Sequence, residues 1–156
     1  MIRKILLTLA TVFTVALGCF AAEVDDVKAF FNEYVNAANS YSKEIPNYYL
    51  PNAKIIRTVI KPDNSKASLV IPMDEYLKQM KMGQAGAKMM RYKNNYLNQK
   101  VVKIKEGEYK VSAQRYPNKD KEGLSCYFIV VKTNDGYKFK VEQMDTRVQT
   151  FLKYIK

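Results

Sequence analysis

From Glu23 to Ala38 the apolar positions are Val24, Val27, Phe30, Phe31, Tyr34, Val35 and Ala38. That spacing predicts an amphipathic helix with one buried face. Asp25 and Asp26 fall in its first turn, where they complement the helix dipole, and Asn39-Ser40 ends it. Ser42 is placed to cap a second, short helix carrying Ile45, Tyr48 and Tyr49, with Pro46 tolerated in its first turn. Pro51-Asn52 then turns the chain into "KIIRTVIK", which alternates as a strand, and Pro62-Asp63-Asn64 returns it into "ASLVI". A third helix opens at Pro72, with Tyr76, Leu77 and Met80 on one side. Gly83 and Gly86 weaken its far end, so it is expected to stop before "KMMRY".

After Tyr92 the period changes from helical to two. "YLNQKVVKIK", "EYKVSAQRY", "LSCYFIVVKT" and "YKFKVEQMDTRVQ" read as strands, joined by "EG", "PNKDKEG" and "NDG". "CYFIVV" is apolar on both faces and should be a central strand. The alternation in "VKIK", "EYKV" and "YKFKV" leaves a wetter, lysine-bearing face on the others.

The N-terminus changes this picture. "MIRK" is basic, "ILLTLATVFTVALGCFAA" is apolar apart from threonines, and the acidic "EVDD" follows. This is the layout of an export signal over residues 1–21, leaving one domain over 22–156. Two alternatives stay open: lipidation at Cys19 within "ALGC", or an uncleaved anchor. All three place the domain in the periplasm or outside the cell. The 156-residue chain has 26 Lys and Arg against 15 Asp and Glu, a formal net charge of +11, and no His or Trp. Despite that charge, the export signal argues against a nucleic-acid partner. Loss of residues 1–21 would leave Cys126 as a lone cysteine, which excludes a disulfide framework within the chain. Without His, and with that single apolar-flanked Cys, the commonest zinc ligands are missing; no metal or cofactor is expected.

The order helix, short helix, two strands, helix, four strands resembles the nuclear transport factor 2-like superfamily. "FFNEYVNAANS...NYYLPNAKI" is similar to that superfamily's opening, and "FIVVKTNDGYKFKVEQM" to its closing hairpin. The resemblance implies an α+β cone: a curved antiparallel sheet wrapped around a long N-terminal helix, with two further short helices. The superfamily includes ketosteroid isomerases, whose chemistry uses a helix tyrosine, a first-strand aspartate as base and a protonated aspartate on a later strand. By that resemblance Tyr34 matches the tyrosine, but Arg57 and Phe128 stand at the acid positions. An arginine cannot take up a proton at neutral pH. Dehydratase-like relatives use histidine, which is absent.

On the last strand Tyr137, Phe139, Val141, Gln143, Asp145 and Arg147 share one face if no bulge intervenes. Gln143, Asp145 and Arg147 would then form a polar patch at the cone's mouth, joined by Arg91 and Arg115; the competing reading is ordinary surface pairing. Met73, Met80, Met82, Met89 and Met90 read as core filler under the third helix, or as the lining of a lipophilic pocket. Lys103, Lys105, Lys110, Lys132, Lys138 and Lys140 read as a solvated sheet face or as a surface for an anionic partner.

These observations lead to an expected ligand set of Tyr34, Tyr48, Tyr49, Met80, Phe128, Phe139, Gln143, Asp145 and Arg147. The expected ligand is a small apolar or amphipathic molecule, with an envelope protein as the other partner class and a homodimer as an open possibility. Membrane association is expected only through Cys19 or the N-terminal stretch. The alternatives are an isomerase or hydratase using Tyr34 with Asp145, and a structural subunit of an envelope assembly.

Overall fold

The computed structural model describes residues 2–118 and 120–155, with side chains from residue 21 onward. Cys19 and most of the expected export signal therefore lie outside the described side chains. The elements are α1 (Ile2–Asn39), β1 (Tyr49–Ile60), β2 (Lys66–Ile71), α2 (Met73–Met89), β3 (Asn94–Lys105), β4 (Glu108–Pro117), β5 (Leu124–Thr133) and β6 (Gly136–Thr146). Short 3-10 turns cover Ile45–Tyr48 and Gln149–Tyr154. Among the described residues no helix is long and apolar enough to cross a membrane.

The six strands form one sheet in the order β2-β1-β6-β5-β4-β3. Its tight turns follow the sequence, with Gly107 and Gly136 taking positive φ between β3 and β4 and between β5 and β6. The chain leaves β2 through α2, enters the far edge at β3 and meanders back. Four antiparallel strands bring β6 alongside β1 pointing the same way, so that pair is parallel. The sheet is mixed, where the resemblance implied a purely antiparallel one.

Val27, Phe31 and Tyr34 of α1 are buried against the concave face. Their i, i+4, i+7 spacing is the stripe seen in the sequence. They meet Ile55, Val59, Ile71, Val111, Phe128, Val130 and Phe139, all essentially solvent-free. Phe139 is the hub, with ring centroids 4.8 Å from Tyr34, 5.0 Å from Phe30 and Phe128, and 5.3 Å from Tyr49. As expected, β5 is central, and its Cys126 is buried with the thiol donating to the Ala113 carbonyl. Burial pushes that thiol up to about 12, which removes it as a nucleophile.

Three local expectations are corrected. The second helix is a single 3-10 turn after Glu44, not one capped by Ser42, and Tyr49 already belongs to β1. Pro51-Asn52 lies within β1, where the pairing with β6 slips between Tyr49 and Lys54. α2 runs to Met89, two residues past the expected stop before Lys88, and stays helical through Gly83 and Gly86. Each glycine costs about 1 kcal/mol of helix propensity, which packing of Tyr76 and Met80 against the body offsets.

α1 is also tied to the sheet by polar contacts. Glu23 accepts from the Tyr109 hydroxyl at 2.6 Å and from Lys103 at 2.9 Å. The Tyr109 hydrogen bond first, then Lys103, holds its carboxyl below the usual value of 4.5. A lowered folded-state value means this tie is fully present above the ordinary carboxylate range. It is lost as pH falls through the lower folded value. Thermal melts from pH 6 to pH 3 should therefore show a smaller acid-induced drop for Glu23→Gln than for the wild type. Parallel curves would remove Glu23 from the acid response.

Candidate ligand-binding site

The last strand carries the residue around which the site is built. In the β5–β6 ladder Val130 pairs with Phe139 but Ile129 pairs with Val141, so Lys140 is an extra residue, a β-bulge. Beyond it the alternation is reversed. Phe139, Glu142 and Met144 face the cone interior, while Gln143 turns to the opposite face. Glu142 is 0% exposed in the middle of an otherwise apolar core.

Such a carboxylate survives burial only if its oxygens are fully paired. Arg57, facing in from β1, donates to Oε1 at 2.5 Å. The Tyr76 hydroxyl from α2 is 3.2 Å from Oε1, the Tyr34 hydroxyl from α1 is 3.4 Å from Oε2, and the Tyr49 hydroxyl also donates to Oε2. The hydroxyls also approach one another, Tyr34 to Tyr49 at 2.9 Å and Tyr49 to Tyr76 at 3.3 Å, so their three protons are shared between these contacts and Glu142. The Arg57 guanidinium stacks over the Tyr76 ring, 5.4 Å from its centroid.

Burial, and after it the charge of Glu142, holds Tyr34, Tyr49 and Tyr76 above the ordinary phenol range. They remain protonated donors at any physiological pH. For Arg57 burial opposes the charge, but Glu142 outweighs it and keeps the guanidinium above its usual value. The cluster is a fixed set of donors gathered on one anion, held from α1, α2, β1 and β6 together.

This cluster is the floor of a cleft of about 710 Å³ between α2, the end of α1 and the sheet. Tyr34, Arg57 and Tyr76 reach its wall; Glu142 and Tyr49 lie behind them. Ala38, Ile45, Pro46, Leu77, Met80, Ala87 and Met144 give it an apolar body, and Lys43 and Lys81 stand among its lining. None of the lining residues is acidic. Two sets of contacts fix the rim. Asn39 and Asn94 exchange reciprocal hydrogen bonds of 2.9 Å, and Gln84 of α2 donates to the Tyr41 carbonyl at 2.6 Å. The Tyr41 hydroxyl, on a residue of this lining, is buried without a hydrogen-bond partner. Such orphan groups are rare unless something else satisfies them.

Of the residues expected to bind a ligand, Tyr34 and Met80 line the cleft, and Tyr49 supports its floor from behind. Phe128 and Phe139 are sealed in the core at 0% exposure. Tyr48 lines a separate, shallower recess with Phe30, Glu33 and Tyr137. Gln143 and Asp145 lie with Thr58 on the outer side of the sheet. There Gln143 donates to Thr58 and to Asp145, and Asp145 pairs with Lys66 at 2.8 Å. Tyr34 and Asp145 are therefore not brought to one cavity. Arg147 is exposed beyond β6 and pairs with Glu122. Arg115 is buried but is held by Asn94 and the Asp145 carbonyl, and Arg91 is exposed at a positive φ. Met82, Met89 and Met90 are exposed, so only Met73 and Met80 of the five act as filler.

The architecture is similar to several solved structures. A candidate scytalone dehydratase from Novosphingobium aromaticivorans is 16% identical, with 80% of this chain and 83% of that one aligned at a TM-score of 0.59. An NTF-2-like protein of unknown function from Shewanella oneidensis is 14% identical over 80% of this chain and 99% of its own, at 0.58. An NTF2-like protein with a cystatin-like fold, also from N. aromaticivorans, is 6% identical over 86% and 89%, at 0.61. This chain has the nuclear transport factor 2-like fold. No protein-family model matches the sequence, and no curated protein matches it. At these identities the likeness extends to the nuclear transport factor 2-like architecture and not to a shared reaction.

Within that architecture Arg57 occupies the inward-facing first-strand position, as the resemblance implied, and pairs with a glutamate on the last strand. The glutamate was missed because strict alternation from Phe139 puts position 142 on the wet face. Only the bulge at Lys140 turns it inward.

Proposed function

We propose that this protein is an exported, non-catalytic domain that binds a small apolar or amphipathic molecule in the cleft beneath α2. The observation that carries the reading is the cleft itself: about 710 Å³, largely apolar in its lining, over a rigid floor of Arg57, Tyr34 and Tyr76. Ligand sites have this make-up, an apolar body with a few fixed polar groups that orient the guest. The export signal read over residues 1–21 supports a place in the cell envelope.

Catalysis ranks lower for a chemical reason. The donors of the cleft floor are directed at Glu142 behind it, and no carboxylate or imidazole faces the cleft as a base. Glu142 itself is closed off behind Tyr34, Tyr76 and Arg57. An isomerase or hydratase needs a base within hydrogen-bond reach of its substrate.

The test is native mass spectrometry of the full chain, followed by solvent extraction and mass analysis of what is released. A small molecule with an apolar body, present in near-stoichiometric amount, is the expected result. A protein that is empty as purified and takes up no fatty acid or other amphiphile from a mixed panel would overturn the reading.

A further inference from the structure

We propose that the outer face of α2 and the turn after it dock on an anionic lipid surface. The three most exposed large hydrophobic side chains among the described residues are all here: Met82 at 74%, Met89 at 82% and Met90 at 68%. Met82 and Met89 are two helical turns apart and so form one stripe, turned away from the Tyr76 and Met80 side that faces the cleft. An apolar stripe of this kind in water is a cost that no contact among the described residues offsets.

The charge around the stripe selects the partner. No acidic residue occurs in the sequence between Glu75 and Glu106, and Lys88, Arg91 and Lys93 flank Met89 and Met90; farther back Lys78 pairs with Glu75 at 4.0 Å and Lys81 lines the cleft. Lys88, Arg91 and Lys93 are exposed. At its Met89–Met90 end the stripe is flanked in sequence by cations, which suits a layer with anionic head groups over an apolar interior. The stripe is separate from the cleft, so the proposal stands whether or not a ligand is bound there.

The chain contains no tryptophan, so Met89→Trp in the full-length protein supplies a single local reporter. It is added to vesicles of phosphatidylglycerol or of phosphatidylcholine alone. The expected result is a blue shift of tryptophan emission with phosphatidylglycerol, lost at high salt and absent with phosphatidylcholine. In that background Lys88→Glu with Lys93→Glu should weaken the vesicle affinity by about tenfold or more. A reporter that stays in water while the protein pellets with vesicles would mean that another segment, such as the apolar N-terminal stretch, makes the contact, and would overturn the proposal. Equal shifts on the two lipids, or an affinity unmoved by the charge reversals, would also overturn it.

Discussion

Glu142→Ala is expected to destabilise the fold by about 3–5 kcal/mol, measured as a lower midpoint in urea at an unchanged m-value. The size follows from what is left behind. Removing the carboxylate leaves Arg57 charged, nearly solvent-free and without its counter-ion, and leaves three phenols without their common acceptor. A loss on that scale is a large part of the roughly 5–15 kcal/mol that holds a typical domain together. Arg57→Met should cost a similar amount, because it strands the opposite charge. The informative variant is the pair Arg57→Met with Glu142→Leu. If the burden lies in orphaned charges, the double variant will be more stable than either single one, with a coupling well outside additivity. Single losses below about 1 kcal/mol would mean that water reaches the pair, and the cleft floor would not be the rigid platform described above.

That platform explains why the fold was easier to read than the site. The inward stripe of α1, the hairpin at Asp135-Gly136, the apolar β5 and the order of elements all follow local rules of period and turn chemistry, and all were legible. The site depends on two places where a local rule is broken. At Lys140 one extra residue reverses the facing of everything after it, which buries Glu142 and sends Gln143 and Asp145 outward. Near Pro51 and Asn52 the partner strand slips as well, so β1 starts early and carries Tyr49 under the cleft. A bulge leaves little mark in a single sequence, because the residue added is an ordinary lysine. One clue was present. The mapped position of Arg57 put an arginine inside the cone, and an inward arginine demands a buried acid. Strict alternation from Phe139 puts Asp145 on the inner face, where the bulge puts Glu142.

α2 shows the same limit in a helix. Gly83 and Gly86 argue for an early stop, yet the helix continues because Tyr76 is tied to Glu142 at one end and Gln84 to the Tyr41 carbonyl farther on. Tertiary contacts outweigh a propensity deficit of about 2 kcal/mol for the two glycines together. Running to Met89, the helix roofs the cleft with Leu77, Met80 and Ala87.

Ala87→Trp should therefore abolish ligand retention while leaving the fold intact. Ala87 is half-buried on the cleft side of α2 and touches none of the Arg57–Glu142–tyrosine contacts. An indole there would grow into open volume and not into packed core. The usual overpacking penalty of about 1–3 kcal/mol should accordingly be small or absent. Bound amphiphile, read by extraction and mass analysis, is expected to fall to about a tenth of the wild-type amount or less, because the guest and the indole need the same space. The far-ultraviolet circular dichroism and the urea midpoint should stay close to the wild type, which separates occlusion from unfolding. Tyr76→Phe supplies the complementary case. It keeps the shape of the cleft and removes only a hydroxyl bonded to the buried Glu142, so it should lower the urea midpoint without emptying the site. If Ala87→Trp retains its guest in full, the molecule is held elsewhere and the space under α2 is not the binding site.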